Sequence, residues 1–143
     1  MGRIAFMTDS VAGLPADQVE KYRVTVVPLQ VIFGMDSYRD GIDLTQDEFF
    51  VKLKAAKNLP TTSQPSTADV EEAYTRLLAD PEVDSIIAVH LSARLPSGTY
   101  AMSAAAAERL IAAHLATKAE PKHFSRKDSK PPSPRPLRVA EPA

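Results

Sequence analysis

The stretch VDSIIAVHLSARLPSGTYAMSAAAAER, residues 83–109, contains the pattern that decides the fold. Residues 83–92, with the apolar run IIAV at residues 86–89, are predicted to form a strand, and an alanine-rich segment at residues 97–117 has the length and periodicity of a helix. A buried strand that leads through a short polar turn into a helix is the repeating unit of parallel sheets. This stretch therefore predicts an α/β fold.

The rest of the chain to residue 117 repeats the alternation of strand and helix. Strands are predicted at residues 3–9 and 24–33, with Pro28 bending or ending the second because it lacks a backbone N–H. Residues 34–43 are rich in glycine and aspartate, which is typical of a hairpin or an exposed loop. Further helices are predicted at residues 14–22, 45–57 and 66–80. We expect one domain over residues 1–117, a small parallel sheet flanked by helices with one edge left open.

Helix starts and buried faces follow from local spacing. Thr45 and Glu48 have capping-box spacing, and either Ser66 or Thr67 is expected to cap the helix that follows. Helical periodicity assigns a buried face to each of the last three helices: Phe49, Leu53 and Ala56; Val70, Tyr74, Leu77 and Leu78; and Tyr100, Ala104, Ala107, Ile111 and His114 or Leu115.

The composition changes at residue 118. Residues 118–143 contain six prolines and seven Lys or Arg residues against three acids. So few apolar groups do not offset the entropy cost of folding, and we expect a disordered, basic, proline-rich tail. One alternative is that the tail makes a partner contact, which would make the chain a regulatory interaction module. The abrupt change is also what a reading-frame error would produce.

Composition limits the function classes. The net charge is −1, which does not favour nucleic acid or an anionic membrane as a partner, and no apolar run is long enough for a membrane span. Cysteine is absent, which excludes disulfides and thiolate metal sites and fits a reducing cytoplasm. The three histidines are scattered without metal-ligand spacing, and His90 is expected to be a hydrogen-bonded interior residue.

Three polar clusters fall where strands lead into helices. They lie at residues 8–10, 61–66 and 92–100, and ligands of such sheets bind at the carboxyl ends of the strands. Ser97, Gly98 and Thr99 stand at the first turn of the alanine-rich helix, whose first N–H groups lack partners. A carboxylate or phosphate suits this position, although Ser97 is also an ordinary N-cap. Asp9 and Ser10 fit either a capping turn or the site of a small-molecule enzyme.

Five motifs together resemble the DegV family. MTDSVAGLP, VTVVPLQVIFG, YRDGIDLTQDEFF, PTTSQPS and HLSARLPSGTYAMSA occur in the order and approximate spacing of that family, over residues 3 to about 115. The resemblance implies a cytoplasmic protein that binds a long-chain fatty acid and presents its carboxyl group to a separate fatty acid kinase. It implies no catalytic residue, cofactor or metal.

The resemblance assigns the fatty acid carboxylate to Thr62 and Ser97. Supporting positions are expected in the surrounding loops: Ser63, Gly98, Thr99, Asp9 and Ser10. Two departures bear on this assignment. Ala93 and Pro96 alter the family's SSxLSGTY pattern, and family members run to about twice this length, with a second domain that encloses most of the acyl chain. We therefore expect fatty acid binding to be impaired in this chain.

Overall fold

The computed structural model describes residues 2–91, 98–119 and 138–139, which form two sheets and four helices. The elements in chain order are β1 (Arg3–Asp9), a 3-10 turn (Ser10–Ala12), α1 (Ala16–Tyr22), β2 (Thr25–Val27), β3 (Gln30–Phe33), β4 (Asp36–Arg39), α2 (Gln46–Ala55), β5 (Thr61–Ser63), α3 (Thr67–Ala79), β6 (Val83–Val89), α4 (Thr99–Ala119) and β7 (Arg138–Val139). The α/β architecture with a parallel sheet is confirmed, and each helix and strand that was predicted lies within a few residues of its predicted range.

The first sheet is parallel, with strand order β2-β1-β6-β7. The central pair is β1 and β6, in a register that sets Thr8 beside Val89. Both strands therefore end at the same edge of the sheet. Asp9, the last residue of β1, lies at this edge beside His90, which follows β6. This is the edge at which parallel sheets bind ligands.

Pro28 divides the strand predicted over residues 24–33. The first part, β2, pairs with β1, whereas the second part, β3, belongs to an antiparallel sheet of order β4-β3-β5. The break is stabilised by Leu29, whose N–H donates to Ser10 Oγ at 3.1 Å. Residues 34–39 turn back as the β3–β4 hairpin, which confirms the hairpin alternative.

The polar stretch before α3 begins as a strand, although no strand is predicted there from the sequence. Thr61–Ser63 form β5 and pair with β3 in a register that sets Thr62 beside Val31. Its three polar side chains are exposed, so the segment lacks the alternation of apolar and polar residues that identifies a half-buried strand.

One core joins the parallel sheet to α3 and α4. It consists of Ala5, Met7, Val27, Val70, Ala73, Tyr74, Leu77, Ile86, Ala88, Ala106 and Ala107. The predicted face of α3 is confirmed, with Leu78 packed at its margin. On the other face of the sheet, Ile4 and Phe6 remain about half exposed.

The predicted buried face of α4 was partly wrong. Thr99, Ser103 and Ala106 are buried together with Ala107, whereas Tyr100 and Ala104 are partly exposed and Leu115 is exposed. Four consecutive alanines at residues 104–107 give the helix almost no apolar asymmetry, so the sequence does not distinguish its faces. Close packing against α3 selects the face with the small side chains.

Two residues of the predicted tail lie in the parallel sheet. The helix α4 continues to Ala119, and Arg138–Val139 form β7 beside Ile87 and Ala88 of β6. Residues 120–137 and 140–143 lie outside the described residues. The division into a domain and a tail at residue 118, and an interaction role for the tail, stay predictions.

Individual hydrogen bonds define the N-terminal caps of α2 and α3. Thr45 and Glu48 form the predicted capping box, and Ser66 rather than Thr67 caps α3, with its Oγ accepting from the Asp69 N–H at 3.1 Å. The Thr67 hydroxyl contacts Met102 Sδ instead.

We predict that Ser66→Ala lowers the free energy of unfolding by about 1 kcal/mol, because one first-turn N–H of α3 loses its acceptor. Urea denaturation followed by circular dichroism measures the change. The matched control is Thr67→Ala, which should cost clearly less. Equal effects of the two substitutions would contradict the assignment of the cap.

Candidate ligand-binding site

A crevice of about 990 Å³ lies between the two sheets, α1 and the start of α2. More than half of its lining residues are apolar: Leu14, Pro15, Ala16, Val19, Val26, Pro28, Val31, Ile42, Phe49 and Phe50. Hydroxyl and amide groups come from Ser10, Gln46 and Thr62. An apolar cleft with a few convergent polar groups is the usual form of a small-molecule site.

The charges in this crevice are all acidic. Asp9, Glu20 and Asp40 line it, and no lysine, arginine or histidine is among its described lining residues. An anionic head group at this position therefore depends on hydroxyls, backbone N–H groups and the partial charge of a helix end.

Thr62 reaches the crevice because β5 pairs with β3. The register sets Thr62 beside Val31, and both residues line the crevice. Successive residues of a strand face opposite sides, so the neighbouring Thr61 and Ser63 are not lining residues. The Ser63 hydroxyl instead donates to the Gln64 carbonyl at 3.3 Å.

The β5 segment contacts the start of α4 through Gln64. The Gln64 side chain lies against Gly98, so closely that a Cβ on Gly98 would overlap it. Gly98 has φ +67°, a conformation that favours glycine. Thr99 is buried behind it, and neither Gly98 nor Thr99 lines the crevice. Ser97, Ala93 and Pro96 lie outside the described residues, so the position of Ser97 stays a prediction.

Asp9 and Ser10 are engaged by the protein itself. Asp9 Oδ1 accepts from the Val11 N–H at 3.1 Å, and Ser10 Oγ accepts from the Leu29 N–H at 3.1 Å. These contacts match the capping-turn interpretation of the pair. They leave the Asp9 carboxylate only 2% exposed, although it forms part of the crevice wall.

A buried chain of hydrogen bonds starts at Asp9. Asp9 Oδ2 is 2.8 Å from His90 Nδ1, His90 Nε2 is 2.9 Å from Ser103 Oγ, and Ser103 Oγ is 2.9 Å from Tyr74 Oη. Burial raises the pKa of Tyr74, and the hydrogen bond to Ser103 opposes part of that shift. The interior, hydrogen-bonded state predicted for His90 is confirmed. The roles of Ser103 and Tyr74 were missed, because both had the spacing of ordinary helix residues.

The loop that contributes Ile42 to the crevice is held by an ion pair. Arg39 donates from Nε and Nη2 to the two carboxylate oxygens of Asp43, each at 2.9 Å, and its backbone N–H adds a third bond. The side-chain and then the backbone hydrogen bonds from Arg39 lower the pKa of Asp43 to about 2.

Metal ligands are not grouped in the part of the chain that the structure describes: no three His, Asp or Glu side chains there could share an ion. Among the same residues, no helix is both long and apolar enough to cross a membrane.

Comparison with known proteins assigns this arrangement to a family. The family profile described as "Uncharacterised protein, DegV family" matches residues 3–125. The chain belongs to the DegV family.

Individual DegV proteins agree over the same region. A DegV domain-containing protein of Listeria innocua is 40% identical over 106 residues, which are 74% of this chain and 37% of the relative. The crystal structure of DegV from Bacillus subtilis, described as a fatty acid binding protein, has a TM-score of 0.68 at 36% identity. A stearic acid-binding protein from Eubacterium ventriosum has a TM-score of 0.71 at 28% identity.

The matches cover most of this chain but well under half of each relative. The two solved structures are matched over 76% and 79% of this chain, and over 38% of their own chains. The described residues therefore correspond to one part of the longer DegV proteins.

We predict that Gly98→Ala destabilises the fold more than Gly41→Ala, and that it displaces the Gln64 side chain. Both glycines have positive φ, so each alanine introduces about 1 kcal/mol or more of backbone strain. Gly41 has nothing within 4 Å of an added Cβ, whereas Gly98 has Gln64. Urea denaturation and the NMR signals of the Gln64 side-chain amide measure the two effects. Unmoved Gln64 signals in Gly98→Ala would rule out the contact.

We predict that the Asp43 carboxyl titrates with a midpoint near pH 2, and that Arg39→Gln returns the midpoint towards the ordinary 3.8. Because the folded-state pKa is lowered, the pair stabilises the fold fully above about pH 4 and loses this contribution as the pH falls towards 2. NMR titration of the carboxyl carbons measures both values. Identical midpoints in the two proteins would contradict the contact.

Proposed function

We propose that this chain binds a long-chain fatty acid, with the carboxylate near Thr62 and the start of α4 and the acyl chain in the apolar crevice. The observation that carries the proposal is the position of the segment that contains β5. Thr62 of this segment lines the crevice, and Gln64, two residues later, contacts Gly98 at the start of α4. A head-group contact and an acyl-chain slot are thus adjacent. The fatty acids bound by the solved DegV proteins are ligands of this chemistry.

The size of the crevice suits such a ligand. Its volume of about 990 Å³ is near the upper end of the range of about 300–1,000 Å³ for small-molecule sites. Each methylene group removed from water contributes about 0.8 kcal/mol, so the aliphatic and aromatic lining supplies most of the affinity. Thr62 and Ser97 then select for a carboxylate.

The same features predict weak binding by the isolated chain. The crevice is open to solvent, and three acids line it, with no lysine, arginine or histidine among its described lining residues. One or two neutral hydrogen bonds contribute only about 1 kcal/mol each. We therefore propose that tight binding requires cover for the acyl chain and a cation for the head group from outside the described residues.

The open side of the crevice is also consistent with a protein that carries a fatty acid to a second protein. A carboxyl group bound at the mouth is accessible to a second protein, and the resemblance to DegV proteins implies a fatty acid kinase in that position. We include presentation of the carboxyl group to such a kinase in the proposal. Asp9 and Ser10 are less suited to a catalytic role, since both side chains accept hydrogen bonds from main-chain N–H groups.

We predict that octanoate, a soluble probe, binds with millimolar affinity and shifts the amide signals of Thr62 and Gly98 in NMR titrations. Thr62→Val should weaken octanoate binding about fivefold, the equivalent of about 1 kcal/mol for one hydrogen bond. The uncharged analogue 1-octanol should bind both proteins equally, because it fills the crevice without a carboxylate.

The matched control is Thr61→Val, a neighbouring threonine on the opposite side of the same strand. It should leave octanoate binding unchanged. Octanoate shifts located away from the crevice, or equal losses in the two valine variants, would refute the proposed site.

A further inference from the structure

The four residues Asp9, His90, Ser103 and Tyr74 connect four separate elements through one buried line of hydrogen bonds. Asp9 ends β1, His90 follows β6, Ser103 lies one turn into α4, and Tyr74 lies in the middle of α3. All four are 5% exposed or less. Buried polar groups that are fully paired fix the relative position of the elements that supply them.

The chain has a preferred direction. The Asp9 carboxylate only accepts, so His90 Nδ1 carries a proton and donates to it. In the neutral ring Nε2 then accepts from the Ser103 hydroxyl, whose oxygen in turn accepts from Tyr74. The raised pKa of Tyr74 keeps its hydroxyl protonated and able to donate. In this direction every polar side-chain atom in the line has a partner.

The order Asp, His, Ser matches that of a hydrolase triad, but the environment does not suit a nucleophile. Ser103 has no exposed surface, and its oxygen is already shared between His90 and Tyr74. A substrate carbonyl has no route to it. The line of hydrogen bonds is therefore suited to holding elements in place rather than to covalent chemistry.

The element that it holds is the start of α4. Met102 donates its N–H to the Gly98 carbonyl at 3.1 Å in the first turn of that helix, and Ser103 is the next residue. Ser103 is thus one turn from Gly98, which contacts Gln64 of the Thr62 segment. At the other end of the line, Asp9 forms part of the crevice wall.

We propose that Tyr74, Ser103 and His90 are positioning residues for the head-group end of the crevice: their hydrogen bonds to Asp9 hold the first turns of α4 at a set distance from the crevice wall. This inference rests on the proposed function, because it assigns the line of hydrogen bonds a role in carboxylate binding. The ligand class concerned is an aliphatic carboxylate.

The test uses the whole chain with Tyr74→Phe, which keeps the ring and removes only the hydroxyl, and with Ser103→Ala as a second variant. The matched control is Tyr22→Phe, at an exposed tyrosine outside the line. Affinities for octanoate and 1-octanol come from NMR titration, and amide hydrogen exchange is followed at Met102 and in β1.

We expect Tyr74→Phe and Ser103→Ala to weaken octanoate binding at least threefold, with 1-octanol binding unchanged. Exchange at Met102 should accelerate about tenfold while the β1 amides stay protected. The double variant should lose no more than the larger single loss, since both substitutions interrupt one line. Tyr22→Phe should behave as wild type.

Three results distinguish failure of the positioning role from failure of the proposed function. If wild type binds octanoate at the Thr62 site and the variants bind it equally well, the positioning role is wrong and the proposed function stands. If octanoate and 1-octanol lose affinity together, the line only stabilises the fold, which also overturns the inference. If wild type shows no octanoate shifts at Thr62, the proposed function itself fails.

Discussion

The parallel pairing of β1 with β6 is the constraint on which the rest of this molecule depends. It joins residues 80 or 81 positions apart along the chain, and it brings the carboxyl ends of two buried strands to one edge of the sheet. The Asp9–His90 hydrogen bond forms at that edge, and β6 leads from it into the segment that ends at α4. This register thus contributes, with the packing of α4 on α3, to the position of α4 relative to the crevice wall.

A single proline makes the crevice possible. Because Pro28 lacks an N–H, the apolar run at residues 24–33 does not continue in one sheet, and the chain divides between β2 in the parallel sheet and β3 in the antiparallel one. The polar strand β5 then pairs with β3 and brings Thr62 to the space between the sheets. The crevice lining thus includes Val26 from the parallel sheet together with Val31 and Thr62 from the antiparallel one.

Several apolar side chains of this chain are about half exposed, and the chain matches only part of the longer DegV proteins. Parallel sheets are normally covered on both faces, yet Ile4 and Phe6 are about half exposed on the face away from α3 and α4. Leu14, Ile42 and Phe50 are similarly exposed at the crevice. The matched relatives extend well beyond the region shared with this chain.

Local pattern by itself determined the helices, the buried strands, the break at Pro28 and the capping box at Thr45, because each depends on residues close in sequence. The motif order was also sufficient for the family. Tertiary structure alone decided three features: β5, whose three polar residues form a strand only because β3 offers a partner; the buried face of α4, which its alanines do not encode; and the line from Asp9 to Tyr74. The physical reason is the same in each case. Pairing, packing and buried hydrogen bonds join residues far apart in the chain, and their energies depend on distances that no local pattern contains.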